Sequence, residues 1–293
     1  MPRLKIMIDK REQIEREFKE GIVNIFGNLI EYAFFSGRFA YGADKMNKSD
    51  IDIVIVLRNE FEHVNNKIAQ EMIRKAVCKY LEIHRKYGYK PDVLFPGEYV
   101  TSKQIEDSLN GRGYHVSNGN IYLPIVDSED YWDVHENEYR AWRSMCAFNN
   151  RKIIIGNKKL FYRNRKKAWR EIIKFLLLNE EKITTKRVLN LIINGGKGYL
   201  GICSDYEPEF SKRESHIIKE SLQYLENLGY VTKSSEEIYR PVRDKLNNWR
   251  KRVISRIQNN RWIGKQIINW NIVRSYVRDW LQTANYDESN RIR

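Results

Sequence analysis

The stretch KSDIDIVIVL, Lys48 to Leu57, constrains the fold of this chain more than any other. Six of the seven residues from Ile51 to Leu57 are apolar, in a run too short for an ordinary helix. That pattern predicts a buried strand. Strand side chains alternate, so Asp50 and Asp52 project to one face and Ile51 to the other. Two carboxylates held that close repel one another unless a cation lies between them. The pair is therefore either a metal site or a solvated strand end.

Other patterns place this strand among helices. Ile14, Phe18, Ile22, Ile25 and Ile30 approximate a helical stripe and predict a helix over 10–34. A glycine-bearing polar stretch containing Ser36, Gly37 and Arg38 leads from it to the acidic strand. A second helix is predicted over 60–86, ending near Gly88, and a short apolar segment over 90–100, terminated by Pro96 and Gly97. Asn118-Gly119 marks a hairpin. From 132 the chain reads as helical, over 132–148, 160–179, 183–192 and 211–231. Thr184 or Thr185 caps the third of these, and Ser211 with Glu214 forms a capping box for the fourth, which Gly229 stops. Ile217, Ile218, Leu222, Leu225 and Leu228 are its expected buried stripe, with Lys212, Arg213 and Lys219 exposed. Two short β-like segments follow. Helices followed by a two-stranded wing are the layout of a winged helix-turn-helix. Basic helices over 243–284 carry Trp249, Trp262, Trp270 and Trp280, which read as core more readily than as stacking platforms.

Charge separates the two halves. The chain of 293 residues has a formal net charge of +14. Residues 1–164 hold 26 Lys and Arg against 23 Asp and Glu, whereas residues 165–293 hold 26 against 15. Such asymmetry favours a polyanionic partner for the second half. No apolar run reaches membrane-span length and no signal-peptide core opens the chain, so a cytoplasmic protein without membrane contact is expected. Cys78, Cys146 and Cys203 are too scattered for a zinc site or a disulfide framework. His84, His115, His135 and His216 lack metal-ligand spacing and read as structural.

The block Ser36-Gly37-Arg38, Gly42 and Ser49-Asp50-Ile51-Asp52-Ile53 resembles the signature of the DNA polymerase β-like nucleotidyltransferase superfamily. That signature is a glycine turn followed, about a dozen residues on, by alternating acids at a strand start. The resemblance covers about residues 20 to 100 and departs where the family usually has Gly-Ser. It implies that Asp50 and Asp52 bind two Mg²⁺ or Mn²⁺ ions, and that Asp92 completes the metal set and helps deprotonate an acceptor hydroxyl. It also implies that Ser36, Gly37, Arg38 and Ser49 belong to the phosphate site of a nucleoside triphosphate. Two-metal transfer of this kind needs only carboxylates and room for a triphosphate.

The expectation is an α+β chain. A nucleotidyltransferase-type mixed sheet flanked by helices (1–131) precedes a helical region with a winged-helix-like unit (132–242) and basic C-terminal helices (243–293). The expected reaction moves a nucleotidyl group from an NTP to an acceptor hydroxyl and releases pyrophosphate, with RNA (tRNA above all) or other nucleic acid as acceptor. The alternatives are a protein or small-molecule acceptor, or a non-catalytic nucleic-acid-binding regulator.

Overall fold

The computed structural model describes residues 2–42, 44, 49–92, 96–122, 153–193, 207–259, 261, 264, 268 and 270–283. The acidic stretch leads into β2 (Ile53–Leu57), every residue of which is buried. It is an inner strand of a four-stranded sheet whose order is β3 (Glu98–Thr101), β2, β1 (Ile30–Phe35) and β6 (Ile153–Gly156). β2 runs antiparallel to β1, with Phe35 opposite Ile53, and parallel to β3, with Val54 opposite Glu98. Burial on both faces explains why β2 has an unbroken apolar run rather than an alternating one.

Aromatic residues of β1 lock helices onto both faces of the sheet. On one face Phe35 meets Phe18 edge-on at 5.5 Å, from α1 (Pro2–Phe26), which packs against α3 (Asn66–Tyr87). On the other, Phe34 and Tyr32 meet Phe161 of α5 (Lys158–Leu177), at 5.1 and 5.7 Å. The sheet is thus mixed and flanked by helices. It takes its fourth strand from residues 153–156, beyond the boundary at 131 suggested by the sequence.

Several sequence expectations are corrected. The helix expected over 10–34 ends at Phe26, and Ile30–Phe35 form β1. The stripe Ile14, Phe18, Ile22 is helical, but Ile30–Phe35 is buried nearly throughout, and only pairing with the distant β2 makes it a strand. The second helix starts at Asn66 rather than 60, after a 3-10 turn over Asn59–His63. Pro96 and Gly97 introduce β3 instead of ending a strand, while Val93 to Phe95 lie outside the described residues. The hairpin is β4 (His115–Ser117) and β5 (Asn120–Tyr122), turning at Asn118-Gly119 as expected. The helix expected over 132–148 lies outside the described residues, as does Trp262.

The second half is mainly helical. After α5 come Ile183, which bridges to Tyr239, then α6 (Thr185–Ile193) and α7 (Glu207–Asn227). The antiparallel ribbon β7 (Val231–Ser235) and β8 (Ile238–Pro241) follows. Thr184 caps α6 by accepting from the Arg187 amide at 3.0 Å. α7 starts four residues before Ser211, so Ser211 and Glu214 form no capping box; Glu214 is instead fully buried and ion-paired with Arg165 of α5. Leu228, expected in the buried stripe, is exposed. α8 (Arg243–Gln258) buries Leu246, Trp249 and Val253, and α9 (Trp270–Thr283) packs on α3. Among the described residues, no helix is long and apolar enough to cross a membrane.

Candidate active site

The glycine turn and the acid pair meet at one end of the β1–β2 ladder. β1 ends at Phe35, and the Ser36 amide donates to the Asp52 carbonyl at 2.9 Å, extending the ladder by one bond. Gly37 then starts the five-residue helix α2 (Gly37–Tyr41) with φ +59, its α-carbon directly over the Asp52 carboxylate. Arg38 follows it, half-buried. Asp50 and Asp52 are half-buried on either side of the fully buried Ile51, the alternation expected of extended chain. The strand proper begins at Ile53, so the acids precede β2 and do not lie within it. Ser49 is buried, and its carbonyl accepts from the Lys90 amide at 3.1 Å, joining this segment to the one carrying Asp92.

Two residues of α3 organise the acids: Tyr80, which sequence reasoning passed over, and His84, which it read as structural. The Tyr80 hydroxyl accepts from the Asp92 amide at 3.1 Å. Burial, and after it the charges of Asp50, Asp92 and Asp52, hold its phenol well above the usual tyrosine range. All three candidate acids thus act on one buried phenol. One turn further on, His84 Nδ1 donates to the Tyr80 carbonyl at 2.8 Å, and Nε2 accepts from the Ile51 amide at 2.9 Å. The His84 ring must be neutral to do both. The only sequence signal for this pair was their spacing: Tyr80 and His84 are four residues apart on a helix face, and nothing local marks that face as meeting Ile51.

Asp44, between the turn and the acids in sequence, is tied down from outside. Asp44 forms an ion pair with Arg11 of α1 and accepts from the Tyr89 hydroxyl at 2.5 Å. The Arg11 guanidinium lies over the Phe39 ring, 4.4 Å from its centre. Burial, and then Asp44, raise the Tyr89 phenol well above its ordinary range.

His84 gives the site a pH dependence. Burial pulls its pKa down to about 4 from an ordinary value of about 6.5. Between these values the unfolded chain binds a proton that the folded chain refuses, so stability falls as pH drops through this window. The loss is of order 3 kcal/mol. Glu17, Glu71 and Glu220 have lowered pKa values, and their share of the pH response is common to the parent and the variant below. Chemical denaturation at pH 7.5 and 4.5 is expected to show the loss in the parent and a clearly smaller one in His84→Leu. An equal pH response in both would remove His84 from this role.

Among the described residues, no group of three His, Cys, Asp or Glu side chains is gathered closely enough to hold a metal ion. The fit to Mg²⁺ or Mn²⁺ is therefore one of donor chemistry: the acids the turn and Tyr80 bring together are all hard oxygen ligands, and Mg²⁺ needs few of them because it keeps several waters. Asp50 and Asp52 stand two positions apart in the chain, and the Asp92 main chain is tied to Tyr80, the phenol on which the charges of all three act. No family model, curated protein or solved structure matches this chain.

Proposed function

We propose that this protein is a metal-dependent nucleotidyltransferase acting on nucleic acid, most simply RNA. The observation that carries the reading is Gly37, held at positive φ against the Asp52 carboxylate, with Ser36 hydrogen-bonded to the Asp52 backbone. A glycine turn closed onto alternating acids is what the transfer of a nucleotidyl group needs: bare main chain for a triphosphate beside carboxylates for its cations.

In this reading Asp50 and Asp52 hold Mg²⁺ or Mn²⁺, with Asp92 as the third acid. Bound there, the ions supply neutralisation of the triphosphate and activation of the attacking oxygen. The chain's own part is positional. Ser36, Gly37 and Arg38 receive the phosphates, and Ser49 fixes the acid segment against residue 90. His84 fixes the amide between the two acids, and the Asp92 carboxylate takes the proton of the acceptor hydroxyl as it attacks the α-phosphorus. Pyrophosphate leaves, and the nucleotidyl group stays on the acceptor.

Residues 158–241 fit the accessory role. Their order of helix, bridging residue, two helices and ribbon supports a winged-helix-like unit, and the excess positive charge of the second half suits a polyanionic acceptor. The division into 1–131, 132–242 and 243–293 is part of the same proposal, with β6 added to the catalytic unit.

The test offers each of four NTPs, radiolabelled at the α-phosphate, to total RNA and total protein with Mg²⁺ or Mn²⁺. Label in RNA that disappears with chelator and in Asp50→Asn/Asp52→Asn is expected. Label in protein would move the acceptor to a partner chain. The absence of label from every lane would sink the catalytic reading and favour a nucleic-acid-binding regulator.

A further inference from the structure

Lys174 lies at the floor of a recess between α5 and α8, only 7% exposed. Its ammonium donates to Glu171 Oε1 at 2.6 Å and faces the rings of Trp249 and Tyr230 at 4.8 and 5.3 Å. Arg252 and Arg256 of α8 line the same recess. The Arg252 and Arg256 guanidiniums donate to neutral acceptors, the Tyr230 hydroxyl at 3.3 Å and the Asn110 carbonyl at 3.5 Å. Among the described residues Glu171 is the single carboxylate of the lining, and it also accepts from Trp249 Nε1 at 3.1 Å. Three cations thus share one carboxylate, with burial and neighbouring Lys167 and Arg252 opposing the charge on Lys174. Three cations against one carboxylate, among the described residues, give the recess an excess of positive charge.

We propose that this recess holds a phosphate of a single-stranded nucleic acid lying along α5. The inference names where the acceptor binds, and for its purpose it rests on the function proposed above. The recess has a volume of about 210 Å³, smaller than the roughly 300–1,000 Å³ of pockets that enclose whole small molecules. Its occupant is therefore a group on something larger. A second cavity, of about 560 Å³, shares Leu109 with it and carries Arg163 and Lys167. Arg163, Lys167, Arg170 and Lys174 recur at helical spacing, so α5 presents one cationic face roughly 16 Å long. Along α5, Arg170 falls between Lys167 and Lys174, and its guanidinium stacks on the exposed Tyr224 ring of α7, 3.4 Å from its centre. Flat stacked surfaces beside cations are how proteins grip unpaired bases and their backbone. The larger cavity includes Glu31, at the end of β1 away from Ser36. The groove thus grips the body of the strand, away from its reacting end.

The test is fluorescence anisotropy with labelled RNA of about 20 nucleotides, single-stranded or duplex, over a range of KCl without NTP. The protein is the full chain carrying Asp50→Asn/Asp52→Asn, so that binding is read without turnover. Arg252→Ala/Arg256→Ala removes two exposed cations of the recess and leaves its buried residues in place. It is expected to weaken single-strand binding by ~10-fold or more and to lower the salt slope by about two. Lys245→Ala/Lys251→Ala removes equal charge from α8 outside the recess and is expected to stay within about threefold of the parent. Equal losses in the two variants would overturn the proposal, since charge alone would then explain binding. So would a preference for duplex, or capture by phosphatidylserine vesicles with no RNA binding. Recess-dependent RNA binding in a protein that transfers no label would reject the catalytic reading alone. Label transfer to RNA with binding indifferent to Arg252 and Arg256 would reject the recess alone.

Discussion

Gly37→Ala is expected to cut nucleotidyl transfer as deeply as loss of the acids themselves, by about 10²-fold or more, while every acid stays in place. A β-carbon at residue 37 would stand 1.9 Å from Asp52 Oδ2, where real contacts essentially never fall below 3.0 Å. Either the carboxylate or the turn must therefore give way by about 1 Å, and displacement on that scale costs ~10²-fold when reacting groups are positioned by the fold. The backbone adds its own strain, since φ +59 costs an alanine roughly 1–2 kcal/mol. Gly42→Ala separates the two effects. Gly42 also has positive φ, +78, but the nearest atom to an added β-carbon is Arg11 Nη1 at 3.4 Å, an ordinary contact. It is expected to lose similar stability and to keep transfer within a few-fold. Parallel measurement of kcat/KM and thermal unfolding for both variants decides the point. Equal activity in the two would show that Gly37 serves the backbone and not the acids.

What the sequence revealed of this site follows from range. Asp50, Ile51 and Asp52 alternate within three residues, so their placement on either side of the chain needed only strand geometry. Gly37 and Asp52 are fifteen residues apart, and their apposition required β1 to be a strand. The apolar stripe hid that, because Leu29–Phe35 resumes the hydrophobic content of α1 after only the short Gly27-Asn28 interruption. Tyr80 and His84 were illegible for a different reason. A buried tyrosine and a buried histidine on a helix look like ordinary core, and their roles arise from the amides of Asp92 and Ile51, which carry no sequence signal. Asp44 carried no signal of its own in the sequence; its partners, Arg11 of α1 and Tyr89 just after α3, are remote from it in the chain. The cationic face of α5 was present as periodicity, but the net charge drew notice to the second half as a whole, and α7 then seemed the natural contact helix.

Glu214 shows how a local motif can be spent on something else, and the size of a stability loss tells which role it has. As the third residue of a capping box it would contribute about 0.5–2 kcal/mol, and Ser211→Ala would cost the same. In the fold it is fully buried and paired with Arg165, itself only 3% exposed, which pins α7 to α5. Glu214→Gln leaves a guanidinium in the interior without its counter-charge, and such a loss costs about 3–5 kcal/mol. Against a total of ~10 kcal/mol for a natural protein, that is a large fraction, and the melting temperature is expected to fall on the order of 10 °C. Ser211→Ala, inside α7 and away from its start, is expected to change stability by less than about 0.5 kcal/mol. Replacing both partners, Arg165→Met with Glu214→Leu, should recover most of the loss, because apolar pairs of similar volume often substitute for buried ions at no net cost. Urea denaturation of Arg165→Met, Glu214→Leu and the double forms the cycle. Additive losses, or a Glu214→Gln penalty no larger than that of Ser211→Ala, would return Glu214 to the cap. A strong coupling would establish that this buried ion pair holds α5 against α7, and α5 is the helix that also carries Lys167, Arg170 and Lys174. Loss of that pair should then weaken single-strand RNA binding as well, although neither residue lines the recess.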